Sequence, residues 1–195
     1  MPKRNKDLHG SAPDTCDTAL LLIDVINDLQ FPEAEQLLQF AVPMARRLQA
    51  LARRARRAGV PIIYINDNFG RWQSNFAAIV EHCLKSPGKK VVDLLRPRRR
   101  DYFVLKPKHS AFFSTTLDVL LRYLGTERLI ITGIAANICV LFTANDAYMR
   151  DFEVLVPRDC VSSNTSEAND YALRQMQTIL KADIRPSTEI KLGKK

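Results

Sequence analysis

Three residue types that can cooperate in nucleophilic chemistry close three separate apolar runs of this 195-residue chain. Asp24 ends Leu21-Leu22-Ile23-Asp24, Lys106 ends Val104-Leu105-Lys106, and Cys139 follows the stretch Gly133 to Ile138. A cysteine attacks carbonyl carbon as its thiolate, a carboxylate can take the thiol proton, and a nearby ammonium favours the resulting anion. Taken singly, each has a plain explanation: a turn-forming Asp, a solvated Lys, a Cys packed in a core. Cys139 also falls where a helix is predicted to begin, and a helix N-terminus with an ammonium beside it should lower a thiol pKa.

The elements that must position these residues are legible as short apolar runs. Ala19 to Val25, Val60 to Ile65, Tyr102 to Leu105, Leu129 to Ile134 and Glu153 to Val156 read as strands, with a sixth, weaker candidate at 182–190 interrupted by Pro186. Continuous rather than alternating apolarity marks strands covered on both faces, as in a parallel sheet. Between them, helical spacing runs from Ala41 through Ala58 to a stop at Gly59, from Leu117 to Leu124 with a stop at Gly125, from Ile138 to Met149, and from Ser166 to Leu180 with Ser166 as N-cap. Alternating strands and helices predict a single α/β domain of three layers, α/β/α, around a mostly parallel six-stranded sheet. The domain is placed at residues 15–190, between a polar tail at 1–14 and a basic tail at 191–195. In such a sheet ligands bind beyond the carboxyl ends of the strands, where the acid, the amine and the thiol all emerge.

Composition excludes several classes. No apolar run reaches the roughly 18 residues of a membrane span, and residues 1–14 lack the apolar stretch of a secretory signal, so a cytoplasmic protein without a membrane partner is expected. The four cysteines, Cys16, Cys83, Cys139 and Cys160, form no C-x-x-C pair, which speaks against a disulfide scaffold and a zinc cluster. Net charge is +8, yet the arginines are dispersed over one amphipathic segment, one loop at 96–100 and the C-terminus. Basic runs almost free of aromatic residues read as solvated faces, and no nucleic-acid partner is expected.

At the three chemical residues the sequence resembles a known family. Leu21 to Asp28 (LLIDVIND) is similar to the LLIDxQND signature of the isochorismatase-like cysteine hydrolases, which include nicotinamidases. Leu105 to Phe112 (LKPKHSAF) looks like that family's K-x-x-x-S-A-F segment, and Gly133 to Ala147 (GIAANICVLFTANDA) resembles its G-x-x-x-x-x-C-V-x-x-T-A-x-x-A block. The blocks run in the family's order from about residue 18 to about 181. The resemblance implies a Rossmann-like hydrolase fold with Asp24, Lys106 and Cys139 as catalytic residues. It also implies a cis peptide at Ile134–Ala135 and an oxyanion hole built from the Ala135 and Cys139 amides. Asp24 would take the thiol proton, return it to the leaving group and then activate water against the acyl-enzyme. A small-molecule substrate and a homo-oligomer are further expectations by resemblance.

The sequence also departs from the family. Nicotinamidases carry an Asp-x-His pair and a further His after the second strand to hold a metal; here Ile65 to Trp72 contains no histidine, and His82 lies further on in a predicted helix. No metal and no cofactor are therefore expected. Ile26 replaces the signature's Gln, and Asn169 stands where many members have His. Leu29 and Trp72, after the first two strands, are candidate substrate-binding walls, with core packing as the alternative. The expected activity is metal-independent cleavage of a C–N bond in a small amide or imide. A cyclic substrate of isochorismatase-like or nicotinamidase-like type, or a non-catalytic interaction protein retaining the fold, are the alternatives.

Overall fold

A computed structural model describes residues 15–67, 69, 70, 73 and 75–192 of the chain. The polar tail at 1–14, residues 193–195 of the basic tail, and Trp72 lie outside the described residues. The strands are β1 (Thr18–Ile23), β2 (Ile62–Asp67), β3 (Tyr102–Lys106), β4 (Arg128–Ile134), β5 (Glu153–Leu155) and β6 (Val161–Ser162). The α-helices are α1 (Ala34–Arg57), α2 (Phe76–Cys83), α3 (Lys89–Leu94), α4 (Leu117–Leu124), α5 (Leu141–Tyr148) and α6 (Ser166–Thr178). A π-helical turn, Ala136–Val140, leads straight into α5.

The sheet runs in the order β3-β2-β1-β4-β5, with β6 also paired to β4, and every pairing is parallel. Side-chain alternation divides the core in two. Leu20, Leu22 and Tyr64 face a cluster that includes Leu48 of α1, Ile79 of α2 and Val92 of α3. Leu21, Ile23, Ile63 and Ile65 face the opposite cluster with Leu121 of α4, Ala144 of α5 and Met176 of α6. Both faces of the central strands are thus covered, which is why their sequences read as unbroken apolar runs. Among the described residues no helix is long and apolar enough to cross a membrane.

The structure corrects several expected boundaries. The sixth strand is the two-residue β6 and not the 182–190 segment, which contributes one bridge from Asp183 to Leu155 and a short 3-10 turn at Ser187–Glu189. Pro186 cannot donate to a ladder, so the segment peels away after that bridge. Helix α1 begins seven residues before Ala41 and carries Pro43 inside it; Ala34 and Leu37 extend its buried stripe ahead of the proline. Thr165, not Ser166, caps α6, its Oγ1 accepting the Ala168 amide at 3.1 Å. The irregular stretch from Asn66 to Arg100 contains the short helices α2 and α3.

Two features of this topology prepare a site. The chain builds outward from β1 to β3 and then returns to lay β4 on the other side of β1, so the ends of β1 and β4 flank the point where strand order reverses. At that end Gly133 stands in register with Ile23, at φ +115°, and a Cβ there would meet the Ile23 carbonyl oxygen at 2.0 Å. Only glycine lets the two strands close at this level. Gly133→Ala is therefore expected to lower unfolding free energy by at least about 2 kcal/mol, read from the denaturant midpoint. An unchanged midpoint would mean that β1 and β4 need no such approach.

Candidate active site

Asp24, Lys106 and Cys139 meet at the carboxyl edge of the sheet. Asp24 immediately follows β1 at φ +50°, a left-handed conformation that aspartate tolerates better than most residues, and its amide donates to Ile65 O at 2.8 Å. Lys106 closes β3, two strands away and in register with Asp67. Neighbouring strands lie about 4.8 Å apart, so the lysine's long stem is needed to pass β2 and reach β1. Its Nζ lies 2.8 Å from Asp24 Oδ2 and 3.5 Å from Cys139 Sγ. The Asp67 amide donates to Asp24 Oδ1 at 2.9 Å. Asp24 is 6% exposed and Lys106 only 1%.

The thiol sits in the π-helical turn after β4, reached through a cis peptide at Ile134–Ala135, as the resemblance implies. Among the described residues no backbone acceptor takes the Ala135 amide. Cys139 is half-buried, whereas Cys16, Cys83 and Cys160 are buried free thiols, so one sulfur of the four has both access and charged partners. Thr143, in the T-A pair of the quoted block, ties the turn to the loop after β3. Its Oγ1 donates to Cys139 O at 2.7 Å and accepts the Ala111 amide at 3.0 Å.

The electrostatics differ from the sequence expectation at the sulfur. Burial, followed by the negative charge of Asp24, pushes the Cys139 thiol up to about 12, and the Lys106 charge opposes this without overcoming it. The protonated thiol is thereby favoured. Burial raises the Asp24 carboxyl above its ordinary range, outweighing the Lys106 charge and the hydrogen bonds that favour the anion. Burial works against the Lys106 ammonium, but the charges of Asp24, Cys139 and Asp67 hold its pKa above normal. Moving the proton from sulfur to carboxylate leaves the group's total charge unchanged, with Lys106 in reach of both anionic positions. Such a transfer avoids creating a net charge in a buried site, which would cost far more than shifting one.

Other residues fall as follows. Leu29 packs in the α1-side core and borders a cavity of about 440 Å³ with Phe31, Leu38 and Pro87. His82 lies in α2, where its Nε2 pairs with Asp28 Oδ2 at 3.0 Å. One neighbour of the sulfur was missed in the sequence: His109, with Nδ1 3.9 Å from Cys139 Sγ. Its signal was its position three residues after Lys106, inside the quoted segment. Among the described residues no group of three His, Cys, Asp or Glu is placed to hold a metal ion.

Residues 18–184 match the family model described as Isochorismatase domain. The chain belongs to the isochorismatase family. A Bacillus subtilis (strain 168) relative, the uncharacterized isochorismatase family protein YaaI, is 44% identical over 174 residues, spanning 89% of this chain and 96% of that protein. The ureidoacrylate amidohydrolase RutB of Acinetobacter baylyi is 27% identical over 159 residues, 70% of this chain, which spans 65% of that longer enzyme. The crystal structure of N-carbamoylsarcosine amidase from Thermoplasma acidophilum superposes with a TM-score of 0.68 at 27% identity, covering 90% of this chain and 99% of that one. The protein is an enzyme of the isochorismatase family, with a six-stranded, single-domain α/β hydrolase fold.

Because Asp24 raises the thiol pKa and Lys106 lowers it, their removal should act in opposite directions on alkylation. Asp24→Asn is expected to speed iodoacetamide labelling of Cys139 near pH 8, and Lys106→Met to slow it, with about tenfold in thiolate for each unit of pKa change. Peptide-resolved mass spectrometry reads the rates, and equal labelling of parent and both variants would refute the charge coupling.

Proposed function

We propose that the enzyme hydrolyses a C–N bond of a small amide, imide or ureido compound through a thioester on Cys139, without a metal. The observation that carries this reading is the half-buried Cys139 thiol in contact with the buried Asp24–Lys106 pair. Asp24 takes the thiol proton as sulfur attacks the carbonyl carbon, and Lys106 stays beside the sulfur as negative charge passes to it. The amides of Ala135 and Cys139 receive the developing oxyanion, worth roughly 2.7–4 kcal/mol per donor in measured cases. Protonated Asp24 then delivers the proton to the departing nitrogen, and its raised pKa suits a group that must both accept and return it. Water hydrolyses the thioester to free the thiol.

The substrate class is supported by two relatives, whose names give them a ureido compound and an N-carbamoyl compound. Metal independence is supported by the donor set after β2, where Ile65 to Trp72 holds no histidine and Asp67 Oδ1 accepts the Phe69 amide at 2.6 Å.

Ammonia release from a panel of small amides, ureidoacrylate, N-carbamoylsarcosine and nicotinamide tests the substrate class. With the best substrate, Cys139→Ala should leave less than about one part in 10⁴ of kcat, and Asp24→Asn should lower it by about 10²–10⁴-fold. A chelator should change neither kcat nor KM. Full activity in Cys139→Ala would discard the nucleophile, and activity lost on chelation and restored by one divalent ion would discard metal independence.

A further inference from the structure

We propose that the cavity between the second half of α1 and the loop before β3 binds a di- or triphosphate group, at a site separate from Cys139. The sequence carries two runs of arginine that the hydrolytic chemistry does not use, one in α1 and one at 96–100. The fold brings them together. Arg53 and Arg56, three residues apart on α1, and Arg96 and Arg98, on either side of Pro97, line one cavity of about 320 Å³. That volume is at the small end of the range for ligand pockets. Residues three apart share a helix face, and Pro97 holds the chain before it extended, where alternate residues share a side. None of the lining residues belongs to the Asp24, Lys106 and Cys139 group, and the cavity borders the approach to β3, the strand that Lys106 closes.

Guanidinium donors at this cavity outnumber the acceptors left to meet them. Leu94 O already accepts Gln49 Nε2 at 2.7 Å, and Leu95 O accepts the Tyr64 hydroxyl at 2.8 Å. Asp93 is paired with Lys89, one turn back on α3. Asp101 takes two bonds from Arg56, at 3.1 and 2.6 Å, and the Arg98 amide at 2.7 Å. Among the described residues no carboxylate is ion-paired with the guanidiniums of Arg53, Arg96 or Arg98. The bonds from Gln49, Tyr64 and Arg56 also tie α1 and β2 to the loop, so the backbone that carries both arginine pairs is held in place.

The ligand class follows from charge and shape. Like charges gathered in this way repel, and an anion placed among them relieves that repulsion at several guanidiniums at once. A planar guanidinium meets phosphate oxygens through two parallel bonds. A single carboxylate or monophosphate has too little charge and too few oxygens to engage Arg53, Arg96 and Arg98 together, whereas a di- or triphosphate group has enough of both. A nucleotide and an inorganic polyphosphate share this chemistry. Neither arginine run carries an aromatic ring on which the bases of a nucleic-acid strand would stack.

Calorimetric titration of the full chain with inorganic tripolyphosphate, ATP and orthophosphate tests the site. Tripolyphosphate should bind at one per chain, raise the melting temperature and lose affinity as NaCl is added. Orthophosphate should bind at least about tenfold more weakly. Joint substitution Arg53→Gln, Arg96→Gln and Arg98→Gln should weaken tripolyphosphate by about tenfold or more, the loss expected for three exposed charge pairs. The set Arg158→Gln, Arg174→Gln and Lys181→Gln removes the same charge away from the cavity and should change affinity by less than about twofold. All six side chains are exposed, so both sets should melt with the parent when no ligand is present. If the first set melts early, Arg96→Gln alone should still weaken binding by about threefold. Cys139→Ala should bind as the parent does, and loss of binding there would overturn the separation from the catalytic centre. Tighter binding of ATP makes the nucleotide the source and equal binding makes it the phosphate chain; both uphold the site. No binding of either, equal weakening by the two sets, or retention of a single-stranded oligonucleotide without binding of tripolyphosphate would overturn it.

Discussion

A lysine ammonium and an aspartate carboxylate buried together at the edge of a sheet constrain everything around them. Lys106 and Asp24 are nearly sealed from water and only 2.8 Å apart, and neither charge could be kept at that depth without the other. The fold supplies what the pair still lacks: the Asp67 amide for one carboxylate oxygen, and the Cys139 sulfur as a further acceptor for the ammonium. Removing water raises the energy of an isolated thiolate, and this shows in the upward shift of the Cys139 thiol. Burial thus favours the protonated thiol over a thiolate, and these are three groups among which one proton could move at constant total charge.

Strand order makes this set possible. Asp24 and Cys139 follow β1 and β4, which are neighbours although more than a hundred residues of chain separate them. Lys106 must come from β3, and its length spans the intervening β2. Gly133 brings β4 close to β1 just before the turn that carries the sulfur, and the π-helical turn then places Cys139 ahead of a regular helix. π-helical turns recur at functional sites because they re-aim a side chain within an otherwise continuous helix. Thr143 completes the assembly by joining the Cys139 turn to the loop that follows Lys106.

The net charge of +8 has a partly structural explanation. Arg54 of α1 donates to Ser187 O at 2.8 Å and Ile190 O at 2.6 Å, pinning the C-terminal segment against the helix. Arg56 makes two bonds to the Asp101 carboxylate, at 3.1 and 2.6 Å, which fastens the entry to β3. Bidentate pairing of this kind uses the planar guanidinium in a way that lysine could not. Arginines that read as a solvated face in the sequence thus divide between solvent and the fastening of irregular chain.

The central strands and the three chemical residues could be read from the sequence because burial on both faces leaves an unbroken apolar run, and a polar residue at its end stands out against it. Helix α4 was equally clear, since Gly125 marks its end with the left-handed conformation that helix termini favour. Short elements were not legible. The two residues of β6 carry no pattern, and the 182–190 segment looked like a strand because local apolarity does not reveal whether a partner edge is free. The start of α1 was hidden behind Pro43, whose cost to a helix is repaid here by packing further along the same stripe. At the site, residue identity determined which groups could exchange a proton, since that depends on chemistry alone. The direction in which the sulfur's pKa moves, and the presence of His109 beside it, were decided only by tertiary structure, because both depend on how much water is excluded and on which distant loops share the same few ångströms.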